Sequence, residues 1–502
     1  MQKTSLKASL KTSRLAFAPL ANALHLRTHL LGWFGFISAT VLLLAVASGC
    51  APKTTKTPSL TNSPSNNMTT AATQAAPNTA PSWIQRANIY EVNVRQYTPE
   101  GTFKAFEKHL PRLKAMGVDV LWLMPIQPIG KKNRKGSLGS YYAVQDYKGV
   151  NPEFGNLDDF KHLVKAAHEQ GMHLIIDWVA NHTAWDNVWI DKHPDWYTQK
   201  DGKIVAPVDD WTDVADLNYD NKAMRKAMVD ALEYWVREAD IDGYRCDVAM
   251  MVPMDFWEQD VRAHLDKAVK PLFWLCEAEG PEFHKAAFHA SYAWDAHHLF
   301  NDIAQGKKNA HELDGFLARE REKYPTNALR MQFTSNHDEN TWNGTEYERM
   351  GDAAQVFAVL AATFNGIPLV YSGQEAKLDH RLKFFDKDEI KWNNTPLADF
   401  YRRLLTLKHD NKALENAPAA GSFTKVKTEA DDAVYAFVRE KDHNRVLVVL
   451  NLSAQAHDVH LSSAAVAGKW NDVFGTAAAP VEFKEGNAFH LAAWSYHVYT
   501  AK

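Results

Sequence analysis

Three carboxylates in this chain each close a short apolar run: Asp247 after "GYRC", Glu277 after "LFWLC" and Asp338 after "MQFTSNH". Carboxyls held close together do not all ionise readily, so at least one keeps its proton near neutral pH. Arg245 stands two residues before Asp247, on the same face if the run is a strand. A guanidinium stays cationic at any working pH. It would hold Asp247 ionised while a neighbouring carboxyl stays protonated. Environments that push two carboxyls apart in this way are what glycoside hydrolysis requires. Asp177, Asn181 and His182 close another apolar run, and Asn336 and His337 precede Asp338. Glu279 lies two residues further on and is a rival to Glu277, which follows its run directly. Glu279 is assigned to the rim, as a sugar contact or a helix-capping group.

Such residues need a frame that points them at one place. Apolar runs begin at Ile89, Asp119, Met172, Ile241, Leu272, Tyr292, Met331 and Ile367. Amphipathic stretches such as "FKAFEKHLPRLKAMG" and "LDDFKHLVKAAHEQG" lie between several of them, and both end in Gly, a usual helix stop. Eight strand–helix units in series predict an α/β fold, a (β/α)8 TIM barrel over residues 83–414. In that fold, polar residues at the C-terminal strand ends line the active site. Cys246 and Cys276, each one residue before a catalytic candidate, then point outward as buried free thiols. A long excursion after the third strand, a subdomain over about 183–220, carries Trp185, Trp189, Trp196, Tyr197 and Trp211. Most of these would form the loop's own small core, with some left facing solvent as platforms for sugar rings. From 415 to 502, runs such as "DAVYAFVRE" and "NRVLVVLNLS" predict a small antiparallel domain, a C-terminal β-sandwich.

With 502 residues, 46% of them hydrophobic, the chain can bury a large core. A formal net charge of −4 gives no electrostatic case for nucleic acid as a partner. Three cysteines supply neither a disulfide framework nor a metal-binding pattern. Residues 1–50 read as a signal peptide: basic residues, then "LLGWFGFISATVLLLAVASGC". Its "ASGC" ending resembles a bacterial lipobox, which makes Cys50 the lipidation site. The rival reading is a plain transmembrane anchor. In the bacterial scheme Ala51 allows transfer to the outer membrane, with the catalytic domain extracytoplasmic in the cell envelope. Residues 51–82, rich in Ser, Thr, Pro and Ala, read as a disordered spacer.

The motifs resemble those of the α-amylase family, glycoside hydrolase family 13, from about residue 85 to the end. "DWVANH" (Asp177 to His182), "GYRCD" (Gly243 to Asp247), "CEAE" with Glu277, and "SNHD" (Ser335 to Asp338) are similar to the family's signatures. "VADLN" and "GIPLVYSGQE" match further ones, and Tyr142 in "GSYYAVQDY" matches the tyrosine that stacks under the reacting sugar. The resemblance implies that Asp247 is the nucleophile, Glu277 the acid and base, and Asp338 a stabiliser of the distorted sugar. Arg245 would orient Asp247; Asp177, Tyr142, His182 and His337 would serve the substrate site. The mechanism implied is retaining double displacement on α-1,4-glucosidic bonds of starch or maltodextrin. It needs no cofactor. Asn181 is a frequent calcium ligand in the family, but Met250 and Met251 stand where Lys-His is common, which weakens that site.

Two rival readings are kept. Val248, directly after the nucleophile, is commoner in α-1,6-active relatives, so an α-1,6-glucosidase or transglycosylase is one; "VADLN" leans back toward the amylases. A non-catalytic, membrane-tethered sugar-binding relative is the other, and it would have no reason to keep all three carboxylates.

Overall fold

Eight short apolar segments pair in parallel and close on themselves in this computed structural model, which describes residues 78–392, 395–475 and 479–502. They are Ile89–Val92 (β1), Val120–Leu123 (β2), His173–Trp178 (β3) and Gly243–Cys246 (β4). Phe273–Cys276 (β5), Ala290–Tyr292 (β6), Leu329–Gln332 (β7) and Ile367–Tyr371 (β8) complete the set. β8 returns to β1 through the pairing of Leu369 with Ile89. Alternate residues point into the barrel and fill it with Ile89, Val120, Trp122, Ile175, Phe273, Leu275, Met331 and Leu369. The interior is therefore a packed core and not a channel. Gly243 is needed where β4 meets β5, because a Cβ there would lie 2.0 Å from the Phe273 carbonyl oxygen.

Four expectations need correction. The sixth strand lies earlier than the run from Tyr292 suggests: Tyr292 is its last residue, and Trp294 already opens a helix to Ala304. The seventh strand begins two residues before Met331. "FKAFEKHLPRLKAMG" forms two helices, Phe103–Glu107 and Leu110–Met116. Pro111 has no N–H for a continuous helix and sits instead in the first turn of the second one. The spacer also stops short of residue 82. Asn78 Nδ2 donates to the carbonyls of His284 (3.0 Å) and Phe288 (2.8 Å), and Trp83 stacks on His173 at 3.9 Å.

The excursion between β3 and β4 is pinned by pairing of His182–Ala184 with Val214–Asp216. After the barrel, a six-stranded antiparallel sheet faces a two-stranded one. Period-two alternation divides the strand Val434–Lys441 between two cores. Val434, Ala436 and Val438 face Val459, Leu461, Phe489 and Leu491 of the smaller sheet. Tyr435 and Phe437 belong to the barrel's own core. The N-terminal signal, Cys50 and most of the spacer lie outside the described residues.

Candidate active site

The C-terminal strand ends bring Asp177, Arg245, Asp247, Glu277, His337 and Asp338 together, as the sequence predicts, and Tyr142 joins them from the loop after β2. Arg245 is the hub. Its side chain is wholly buried, and one nitrogen, Nη1, donates to Asp177 Oδ1 (2.9 Å) and Asp247 Oδ1 (3.0 Å). Its Nε donates to the Tyr292 hydroxyl at 3.1 Å. Nη2 lies 2.9 Å from Glu277 Oε2, close enough for an ion pair but out of line for a hydrogen bond. Trp122 and Tyr292 add ring faces 5.1 and 5.5 Å from the guanidinium carbon, a favourable setting for a desolvated cation.

The site's second cation is His337. Burial alone would strip its proton, but the charges of Asp338 and Glu91 outweigh burial and raise its pKa to about 9. The hydrogen bonds agree with a charged ring. Nδ1 lies 2.5 Å from Glu91 Oε1, and Nε2 lies 2.8 Å from the Tyr142 hydroxyl. That hydroxyl passes its own proton toward Asp177 Oδ2 at 3.0 Å, which Trp122 Nε1 also approaches at 3.3 Å. His182 is the opposite case. It is buried without a charged partner, and burial pushes it down to about 3, so it stays neutral. The two histidines therefore differ in chemistry: one is a cationic donor, the other a neutral imidazole.

The carboxyls do not divide as simply as the Arg245–Asp247 spacing suggests. Asp247 is pushed well above the usual carboxylate range, by burial first, against the pull of Arg245 and with the help of Glu277 and Asp177. Glu277 and Asp177 are raised as well, again by burial first, with Arg245 opposing. Arg245 serves three carboxyls, so its charge does not hold one of them low. The cluster retains a proton as a unit. The Val248 N–H donates to Glu277 Oε2 at 2.9 Å and fixes how that carboxyl is aimed. Val248 makes this bond from φ +34°, a left-handed conformation that a β-branched residue adopts only under strain.

Asp177 and Arg245, expected to serve the substrate site, have fully buried side chains bonded to Tyr142 and the carboxyls. Glu279 is taken by Arg330 at 2.5 Å and accepts the Asp295 N–H (3.2 Å), capping the helix that starts at Trp294. In the excursion, Trp189 packs on Trp196 and on Tyr147 of the loop after β2, and Tyr197 is buried. Trp211 meets His182 edge-on at 5.3 Å. Asn181 turns its amide to His182 Nδ1 at 3.2 Å, and its carbonyl accepts from Leu217. Among the described residues no group of three or more His, Cys, Asp or Glu is placed to hold a metal ion.

Residues 61–211 and 208–445 match the α-amylase catalytic-domain profile, and residues 423–498 match that of the maltogenic amylase C-terminal domain. The chain belongs to the α-amylase family. A noncanonic maltogenic α-amylase, AmyB, from Thermotoga neapolitana is 30% identical with a TM-score of 0.76, over 84% of this chain and 99% of that one. An α-amylase from Lactobacillus plantarum is also 30% identical, with a TM-score of 0.74, over 84% and 100% of the two chains. The α-amylase MalA of Haloarcula japonica is 26% identical over 82% of this chain, which spans 63% of that protein's length.

Family motifs did not point to Glu91, Trp122 or Tyr292. Glu91 had a visible signal: a lone carboxylate inside the apolar run "IYEV" must find a buried partner. Tyr292 and Trp122 look in the sequence like ordinary core aromatics.

Proposed function

We propose that this α-amylase-family enzyme hydrolyses α-1,4-linked glucans with retention of configuration. Asp247 attacks the anomeric carbon, Glu277 protonates the leaving oxygen, and Glu277 then takes a proton from water to release the sugar. Asp338 and His337 hold hydroxyls of the reacting sugar, which rests against Tyr142. The observation that carries this reading is one buried guanidinium reaching both Asp247 and Glu277. Such a bridge favours the short carboxyl spacing of retaining enzymes, roughly 5–5.5 Å, over the roughly 6.5–9.5 Å that leaves room for an inverting water. A bacterial relative in Streptomyces coelicolor is named a maltosyltransferase, so transfer to a sugar in place of water is the second reading.

The deciding experiment is the product pattern from maltoheptaose and from isomaltose, with and without chelator, for wild type and Asp247→Ala. Maltoheptaose cleavage lost in the variant supports the reading. Cleavage of isomaltose alone would overturn the bond assignment, and equal release of sugar by both proteins would overturn the nucleophile. We further propose that Cys50 carries a lipid anchor and that residues 51–77 hold the catalytic domain off an envelope membrane, the outer membrane in the bacterial scheme. The support is the basic, apolar and Cys-terminated order of the N-terminus. Among the described residues no helix is long and apolar enough to cross a membrane. A Cys50→Ala chain that still partitions with membranes would reject the lipid anchor.

A further inference from the structure

Among the described residues only three large apolar side chains are exposed, and two of them are valines. The third is Trp342, 41% exposed, on the short turn that follows Asp338. Leaving an indole in water is unfavourable, and this one is held there firmly. Asn340 Oδ1 accepts the Leu382 N–H at 2.9 Å, and Thr341 Oγ1 donates to the Leu382 carbonyl at 3.1 Å. These bonds pin the turn to the loop that follows β8. From that loop Phe384 backs the indole at 5.2 Å and Phe385 at 5.9 Å. Phe384 in turn lies nearly parallel to Tyr142, 6.1 Å away and tilted by 8°. The indole Nε1 donates to Asp338 Oδ1 at 3.2 Å. A row of rings thus runs from the reacting sugar's tyrosine out to solvent, with its outer member bonded to a site carboxylate.

The direction of the row follows from the barrel. Glu277 and Asp247 stand at the ends of β5 and β4, whereas Trp342 and Phe384 follow β7 and β8, on the far side of β6 in the closed strand order. Glu277 serves the leaving group, so the row lies on the other side of the scissile bond.

We propose that Trp342, backed by Phe384, is a stacking platform for a glucose unit on the non-reducing side of the cleaved bond, beyond the sugar that rests on Tyr142. This rests on the proposed glucan-cleaving function. A sugar's C–H face covers the indole, and the Nε1–Asp338 bond ties occupation of that outer position to the placing of Asp338. Trp342 is thereby a specificity-determining residue that favours chains over short sugars.

The test uses two readouts. In a Glu277→Gln background, maltoheptaose binding is measured by calorimetry with Trp342 intact, as Ala and as Phe. Trp342→Ala should weaken binding roughly ten-fold, the upper end of what an aromatic stacking contact carries, while Trp342→Phe, which keeps a ring, should stay within about three-fold. In the active enzyme, Trp342→Ala should shift cleavage of p-nitrophenyl maltopentaoside toward a shorter non-reducing product. Unchanged binding in the Ala variant, or a shift toward a longer product, overturns the proposal. Phe binding as weakly as Ala also overturns it, because the ring would then not be what matters. If wild type cleaves no glucan and the Glu277→Gln protein binds none, the functional reading fails instead.

Discussion

Asp177→Asn is the sharpest test of how the site is held. Asp177 is wholly buried, and three donors converge on its two oxygens: Arg245 Nη1 at 2.9 Å, Tyr142 Oη at 3.0 Å and Trp122 Nε1 at 3.3 Å. An amide keeps the shape but offers one acceptor and one NH2. If the oxygen faces Tyr142 and Trp122, the NH2 is set against the guanidinium. If it is flipped, two donors lose their acceptor. The first orientation is cheaper and forfeits one charge-assisted bond, about 2–3 kcal/mol. Tyr142 and the carboxyls that Arg245 holds line the proposed reacting region, so this loss should appear as a roughly 30–150-fold fall in kcat/KM on maltoheptaose. It should lie mainly in kcat, since neither Asp177 nor Arg245 reaches the substrate. A second effect has the opposite character. Asp177 is one of the charges that raise Asp247, so its removal should move the acid limb of the kcat/KM profile to lower pH. Urea unfolding of the variant would confirm that it folds. Wild-type kcat/KM in a folded Asp177→Asn protein would refute the idea that this buried carboxylate organises the site.

Glu279→Gln should keep most activity, because that carboxyl is held by Arg330 and a helix N-terminus, but should lower the melting temperature; Glu277→Gln should do the reverse. Equal loss of kcat in both would undo the choice between them. His337 is raised to about 9 in the fold, so its charge adds stability that is complete below about pH 6.5 and is lost as pH rises through about 9. A shift of that size is worth about 3 kcal/mol; urea unfolding at pH 6 and pH 10 should show a drop in wild type that His337→Asn lacks, and parallel behaviour would contradict the assignment. Val248→Gly should relieve the strain at φ +34° but give up a buried side chain, so the two effects should largely offset and change stability by less than about 1 kcal/mol, while the looser N–H that aims Glu277 lowers kcat. A larger loss of stability on that substitution would place the valine's value in its side-chain packing.

The barrel was legible because its strands are bounded apolar runs whose polar ends fall at fixed places. Short β6 was misplaced because Ala290 and Ser291 carry little apolar signal, and the run from Tyr292 borrows its hydrophobicity from the helix that follows. The meeting of Asp247 and Glu277 was legible for a similar reason: each follows directly on the last residue of its strand. Their charge state was not. The two-residue spacing of Arg245 and Asp247 correctly placed both side chains on one face, but it could not show that β3 and β5 bring Asp177 and Glu277 to the same guanidinium. Sequence spacing reports neighbours along a strand. Sharing of a charge is decided across strands, by register.

That sharing explains why the site carries more acid than its cations can balance. Among the described residues, Glu91, Asp177, Asp247, Glu277 and Asp338 face the cations Arg245 and His337. A cluster with surplus carboxyl holds protons that a less crowded acid would lose near neutral pH. His182 and His337 flank this cluster in opposite states, because burial keeps the first a neutral imidazole while Asp338 and Glu91 raise the second to about 9.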